Sequence, residues 1–188
     1  MDITEADALL VVDVQNDFCP GGALPVPGGD EVVPLINVLM PHFEHVFATQ
    51  DFHPPGHSSF VEQGGPWPEH CVQGTYGAAL HPDLDVTSLD QIVQKGTDPA
   101  TDGYSAFAGT DLAAQLLRLG VQRVFIAGLA TDYCVKATAT EAIDQGFDVV
   151  VATDAIRAVN VKARDGEDAL AEMEAAGATL LTSEEINS

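Results

Sequence analysis

The chain has 188 residues, 46% of them hydrophobic and 6% aromatic, enough for one compact domain with a full core, expected to span 1–188. Seven Lys and Arg stand against 29 Asp and Glu, and a formal net charge of −22 excludes the basic face that nucleic acid phosphates or anionic lipid would require. The first apolar run, Ala8 to Val12, is interrupted by Asp13 and preceded by acidic residues, so neither a secretory signal nor a membrane span is expected, and the chain is assigned to the cytoplasm. Cys19, Cys71 and Cys134 are odd in number and widely spaced without a C-x-x-C pair, which predicts reduced thiols rather than disulfides. An acid excess of this size repels itself unless counterions screen it. Salt adaptation is the corresponding hypothesis, and a melting temperature that rises from low to molar KCl is its expected signature.

Strand and helix signals alternate along the chain. Ala8 to Val12 reads as a strand buried on both faces and ending at Asp13, followed by a Gly/Pro-rich loop from Pro20 to Gly29. Asp30 is placed to cap a helix through about Phe43, with Pro34 in its tolerant first turn. His45 to Gln50 is a second strand, and the aperiodic segment from Asp51 to Leu89 has the length of a functional loop. A short strand covers Gln91 to Gln94, a helix Thr110 to Leu119, and a fourth strand Val121 to Ala127. Gly128 breaks that strand, and Thr131 or Asp132 is placed to cap a helix that closes at Gly146. A strand from Phe147 to Ala152, a helix from Asp165 to Ala176 and a strand from Ala178 to Leu181 complete the series. This alternation predicts an α/β fold with a mostly parallel, doubly wound sheet and helices on both faces.

In such sheets ligands bind beyond the carboxyl ends of the strands. Asp13, Asp51, Lys95 and the turn leading to Cys134 each follow a strand directly. One acid at a strand end is ordinarily a turn former, but an acid, an amine and a thiol at the same edge form a catalytic constellation. Cys134 is expected in the first turn of its helix, where unpaired N–H groups favour a thiolate, although a buried structural cysteine is the alternative. The three groups suit acyl transfer. Asp13 would take the thiol proton and return it to a leaving amine, Lys95 would favour the thiolate, and the N–H groups of Ala130 and Cys134 are candidates for an oxyanion hole.

A second constellation lies in the long loop. Asp51 and His53 place a carboxylate and an imidazole two residues apart, with His57 and His70 further along, a donor set suited to zinc, manganese or iron. Spacing alone leaves the alternative that these histidines simply satisfy a surface loop. His42, His45 and His81 are read as unrelated to either cluster.

The runs VDVQNDF at Val12 to Phe18, DFHPPGHSSF at Asp51 to Phe60, WPEHCVQGT at Trp67 to Thr75, Lys95-Gly96, YSAF at Tyr104 to Phe107 and GLATDYCV at Gly128 to Val135 occur in order across nearly the whole chain. Together they resemble the nicotinamidase branch of the isochorismatase-like cysteine hydrolases. The resemblance implies hydrolysis of nicotinamide to nicotinate and ammonia in NAD salvage, with pyrazinamide as a further substrate. It matches Asp13, Lys95 and Cys134 to the family's catalytic triad. Asp51, His53 and His70 match its ligands for one divalent ion, zinc first, with iron or manganese as alternatives, which is thought to hold the pyridine nitrogen. Phe18, Trp67 and Tyr104 match residues that wall the ring, and the Leu129-Ala130 peptide matches a cis bond. His57 matches a ligand only in some relatives; in others that histidine shapes the loop while water completes the ion's shell, and the latter is expected for His57. Tyr133 is assigned no role. The expected partner is the small-molecule substrate, with a homo-oligomer as a further option.

Two rival readings predict different observations. Another hydrolase of the superfamily, acting on isochorismate or an N-carbamoyl compound, would have no use for Asp51, His53 and His70 as a metal site. A non-catalytic binding module would release no ammonia from any amide.

Overall fold

The computed structural model describes residues 1–188. Its frame is a six-stranded sheet with every adjacent pair parallel: β1 (Asp7–Val12), β2 (His45–Asp51), β3 (Gln91–Lys95), β4 (Arg123–Leu129), β5 (Asp148–Arg157) and β6 (Thr179–Leu181). The strand order is β3-β2-β1-β4-β5-β6. β1 lies between β2 and β4 and all six of its residues are buried, so its sequence is apolar almost without alternation. β3 is an edge strand, and there exposed Gln91, Ile92 and Gln94 separate buried Val93 and Lys95.

Successive residues of a strand point to opposite faces, and this divides the apolar residues into two cores. Leu9 and Val11 join Val46, Ala48, Phe125 and Ala127 in one; Ala8, Leu10 and Val12 join Phe47, Val124 and Ile126 in the other. Helix α1 (Val32–Leu39) contributes Val32, Val33, Ile36 and Leu39 to the first core, and the short α5 (Ser183–Ile186) adds Ile186. The second core receives Leu112 and Leu116 from α2 (Leu112–Arg118), Ala139 and Ala142 from α3 (Lys136–Asp144), and Met173 from α4 (Asp165–Ala176). Helices thus cover both faces, as the alternating pattern predicts.

Several local expectations are corrected. The helix expected from Asp30 to Phe43 is three pieces: a 3-10 turn at Gly29–Glu31, α1, and a second 3-10 turn at Met40–His42. Asp30 lies inside the first turn and caps nothing, because the entry is made by Gly28 in a left-handed conformation. Neither Thr131 nor Asp132 caps the segment after β4. Residues Thr131–Val135 form a π-helical turn that opens at Ala130 without a side-chain cap, and α3 begins only at Lys136. β5 runs to Arg157, five residues beyond the expected end. The α5 turn was not anticipated, although Thr182 and Glu185 form a capping box around it.

The order of the strands places the functional crevice. From β1 the chain builds outward through β2 and β3 on one side, then crosses to the other side of β1 to add β4. The β1/β4 boundary is therefore the switch point, and Asp13 and the turn bearing Cys134 follow those two strands. Gly128 makes the close approach feasible: a Cβ there would lie 2.1 Å from the Val12 carbonyl oxygen. No helix is long and apolar enough to cross a membrane.

Candidate active site

Lys95 is the centre of the site. It ends β3 directly opposite Asp51 in β2, and its side chain is fully buried. The Nζ group donates to Asp51 Oδ1 at 2.5 Å, to the Gly103 carbonyl at 2.8 Å and to Cys134 Sγ at 3.5 Å. Asp13 Oδ2 is 2.8 Å away and forms a buried ion pair with the ammonium. An ammonium removed from water costs several kcal/mol, of the order expected for any buried ion, unless opposite charges surround it. Burial alone would lower the Lys95 pKa, yet the carboxylates of Asp13 and Asp51 raise it well above the ordinary lysine value. Lys95 is thus a fixed cation.

Asp13 directly follows β1 in a left-handed conformation, φ 48°, and is completely buried. Its Oδ1 accepts from the Thr49 hydroxyl at 2.6 Å. Burial raises its pKa, with Lys95 opposing, so this carboxylate is a readier proton acceptor than an exposed one. Reactive atoms of Asp13, Asp51 and Cys134 lie within 4.8 Å of one another. The Cys134 thiol is pushed well above its usual pKa by burial, against the pull of Lys95 and with Asp13 and Asp51 adding to the rise. As sulfur attacks, the thiol proton needs an acceptor, and the Asp13 carboxylate beside it is the candidate.

Asp51, His53 and His70 bring their ligand atoms within 4.8 Å of one another. His53 Nδ1 meets the Gly96 carbonyl at 2.9 Å, and His70 Nδ1 meets the Pro68 carbonyl at 2.7 Å. A carbonyl only accepts, so each Nδ1 carries a proton, which leaves each Nε2 as the nitrogen available to a metal ion. His53 Nε2 faces Asp51 Oδ2 at 3.4 Å. One carboxylate oxygen and two imidazole lone pairs converging in a buried space fit a divalent cation. Asp51 is held ionised: burial opposes this, but Lys95 and His53 depress its pKa below the usual carboxylate range. His57 offers no free nitrogen. Its Nδ1 accepts the Ser59 N–H at 3.2 Å, its Nε2 faces the Asp98 carbonyl at 3.1 Å, and its ring stacks on His53 at 4.1 Å.

Both clusters border one cavity, lined by Phe18, Leu24, Val26, Asp51, Trp67, His70, Tyr104, Ala130, Tyr133, Cys134 and Val159. Most of the lining is apolar, as suits a flat aromatic ring. Trp67 Nε1 donates to the Tyr104 hydroxyl at 2.9 Å, and Tyr133 meets the Trp67 ring edge-on at 4.9 Å. Leu24, Val26, Tyr133 and Val159 were not foreseen as wall residues. The position of Tyr133 beside Cys134 was the one available signal; Leu24 and Val26 lie in a loop whose path the sequence does not specify. Asp132, expected as a cap, instead accepts the N–H groups of Val159 and Asn160 at 2.9 and 2.8 Å, which fixes the Val159 wall. Ala130 reaches the cavity and its N–H has no protein acceptor; the Leu129-Ala130 peptide is cis.

A parallel α/β sheet whose strand ends gather a thiol, an amine and a carboxylate at the edge of an apolar cavity defines a cysteine hydrolase of the acyl-transferring class. Known proteins make the assignment specific. The Isochorismatase domain matches residues 7–185. The Escherichia coli nicotinamidase is 43% identical over 200 residues, covering 93% of this chain and 94% of that protein. The Pyrococcus horikoshii pyrazinamidase, solved in complex with zinc, superposes with a TM-score of 0.88 at 46% identity, covering 94% of this chain and 99% of that one. An L. infantum protein solved in complex with nicotinate gives a TM-score of 0.93 at 40% identity, covering 98% and 96%. The chain belongs to the isochorismatase family of hydrolases.

Proposed function

We propose that this chain is a nicotinamidase, converting nicotinamide to nicotinate and ammonia and accepting pyrazinamide, in the salvage of NAD. The observation that supports this reading most strongly is that Cys134, Asp51 and His70 border the same apolar cavity, so the nucleophile and the proposed metal ligands face one shared space. A superfamily member acting on a substrate without a ring nitrogen would have no use for that second cluster.

In the proposed reaction the ring lies between Phe18, Trp67 and Tyr104, with its carboxamide toward Cys134. Sγ attacks the carbonyl carbon while its proton moves to Asp13 Oδ2, and the N–H groups of Ala130 and Cys134 receive the developing oxyanion. Asp13 then protonates the amide nitrogen as the C–N bond breaks, and ammonia leaves. A water molecule gives a proton to Asp13 and its oxygen attacks the thioester carbon; the C–S bond breaks, the sulfur recovers the proton from Asp13, and nicotinic acid departs and ionises to nicotinate. Lys95 holds Asp13, Asp51 and Cys134 at fixed distances throughout. Asp51, His53 and His70 would hold one divalent ion, zinc in the first instance, which when bound supplies a Lewis acid for the pyridine nitrogen and so orients the ring. His57 is assigned to the loop rather than to the ion.

Ammonia release from nicotinamide, measured with and without chelator, tests the reading. Turnover that is lost with the chelator and restored by zinc is expected. A protein that releases no ammonia from nicotinamide or pyrazinamide under either condition would overturn the assignment.

A further inference from the structure

Thr49 lies in β2, two residues before Asp51, and is completely buried. Its hydroxyl serves one residue twice: it accepts the Asp13 N–H at 3.1 Å and donates to Asp13 Oδ1 at 2.6 Å. A backbone N–H only donates, so the single hydroxyl proton has one place to go, Oδ1. The left-handed backbone of Asp13 accompanies this arrangement, its N–H directed at the Thr49 side chain. The two carboxylate positions are thereby made unequal. Oδ1 is engaged by the Thr49 hydroxyl, while Oδ2 faces Lys95 Nζ at 2.8 Å, the same ammonium that reaches Cys134 Sγ at 3.5 Å.

We propose that Thr49 is a positioning residue that reserves the Oδ2 site of Asp13 for the travelling proton in both halves of the reaction. The inference rests on the proposed roles of Cys134 and Asp13. When the S–H bond breaks and the S–C bond forms, the proton enters Oδ2 and Asp13 becomes a neutral acid. Oδ1 is then its carbonyl oxygen and continues to accept from Thr49. When the C–N bond breaks, the proton passes from Oδ2 to the leaving nitrogen. Without the hydroxyl, the carboxylate plane is free to turn and the proton can lodge on an oxygen directed away from the substrate. Binding of the ring would be unaffected, because Thr49 is not among the residues lining the cavity.

Thr49→Val keeps the branched shape and removes the hydroxyl, and Thr49→Ser restores the hydroxyl without the methyl group. For ammonia release from nicotinamide, Thr49→Val is expected to lower kcat roughly 10-fold or more with KM unchanged. Thr49→Ser should recover most of the loss. Thr49→Ala supplies a second hydroxyl-free chain should valine prevent folding, with the melting temperature of each variant measured in parallel. An unchanged kcat in the hydroxyl-free variants would overturn the proposal, as would a serine variant impaired as much as the valine one, which would mark a packing role. A parent enzyme that releases no ammonia at all would instead refute the reaction proposed above.

Discussion

Asp13, Asp51 and Lys95 stand at or immediately after the ends of β1, β2 and β3, whereas Phe18, Leu24, Val26, Trp67, Tyr104 and Val159 enter the cavity from connecting segments. The first group inherits its spacing from the sheet: Asp51 and Lys95 are register partners, and Thr49 ties β2 to Asp13. The second group is held by scattered single bonds, such as Trp67 to Tyr104 and Asp132 to the N–H of Val159. Chemistry that needs fixed distances is thus mounted on the ladder, and ring selection is left to segments that can vary without disturbing it. His70 bridges the two. It comes from the long loop, yet loop and sheet are joined where His53 N–H donates to the Cys71 carbonyl and Gln15 clamps Asp51.

This division can be broken most severely at Lys95. Lys95→Met would leave Asp13 and Asp51 buried without their cation, at a cost of about 3–5 kcal/mol, and turnover should vanish along with it. Thermal melts combined with ammonia assays would check both effects. Residual activity in a folded Lys95→Met chain would show that the amine is dispensable. Gln15 offers a finer cut. Its side chain accepts the Asp51 N–H and donates to the Asp51 and Ala78 carbonyls, each at 2.8 Å. Gln15→Leu should weaken zinc binding about 10–100-fold, the usual effect of losing a partner behind a metal ligand. Chelator competition in the absence of substrate measures it, and parent-like affinity would show that the Asp51 backbone needs no clamp. The smallest effect is expected on the wall. Tyr133→Ala removes an edge-on aromatic contact of about 0.5–1.5 kcal/mol, which should raise KM for nicotinamide by a few-fold with little change in kcat. A large fall in kcat would place Tyr133 in the catalytic half instead.

The same division explains what could be read from the sequence. Polar residues following apolar runs locate strand ends, and the α/β rule places those ends at one edge, so Asp13, Asp51, Lys95 and Cys134 could be grouped before any coordinates. Periodicity also gave the sheet class and α4. The π-helical turn at Thr131–Val135 was not legible, because Thr131 and Asp132 are ordinary cap residues and only tertiary bonds to Val159 and Asn160 draw Asp132 away. The surroundings of Cys134 were not legible either: a helix start favours thiolate, whereas burial pushes the thiol pKa up, with the two carboxylates adding to the rise, and burial is not written in a local motif. Leu24, Val26 and Val159 reach the cavity through loop paths that no period encodes.

The covalent role of Cys134 is the claim on which the account turns, and Cys134→Ala tests it most directly when ammonia release and nicotinate binding are measured on the same preparation. Ammonia release from nicotinamide should fall to background while nicotinate still binds, since the wall and the Asp51–His53–His70 cluster are left in place. Ammonia released above background by that variant would contradict the account.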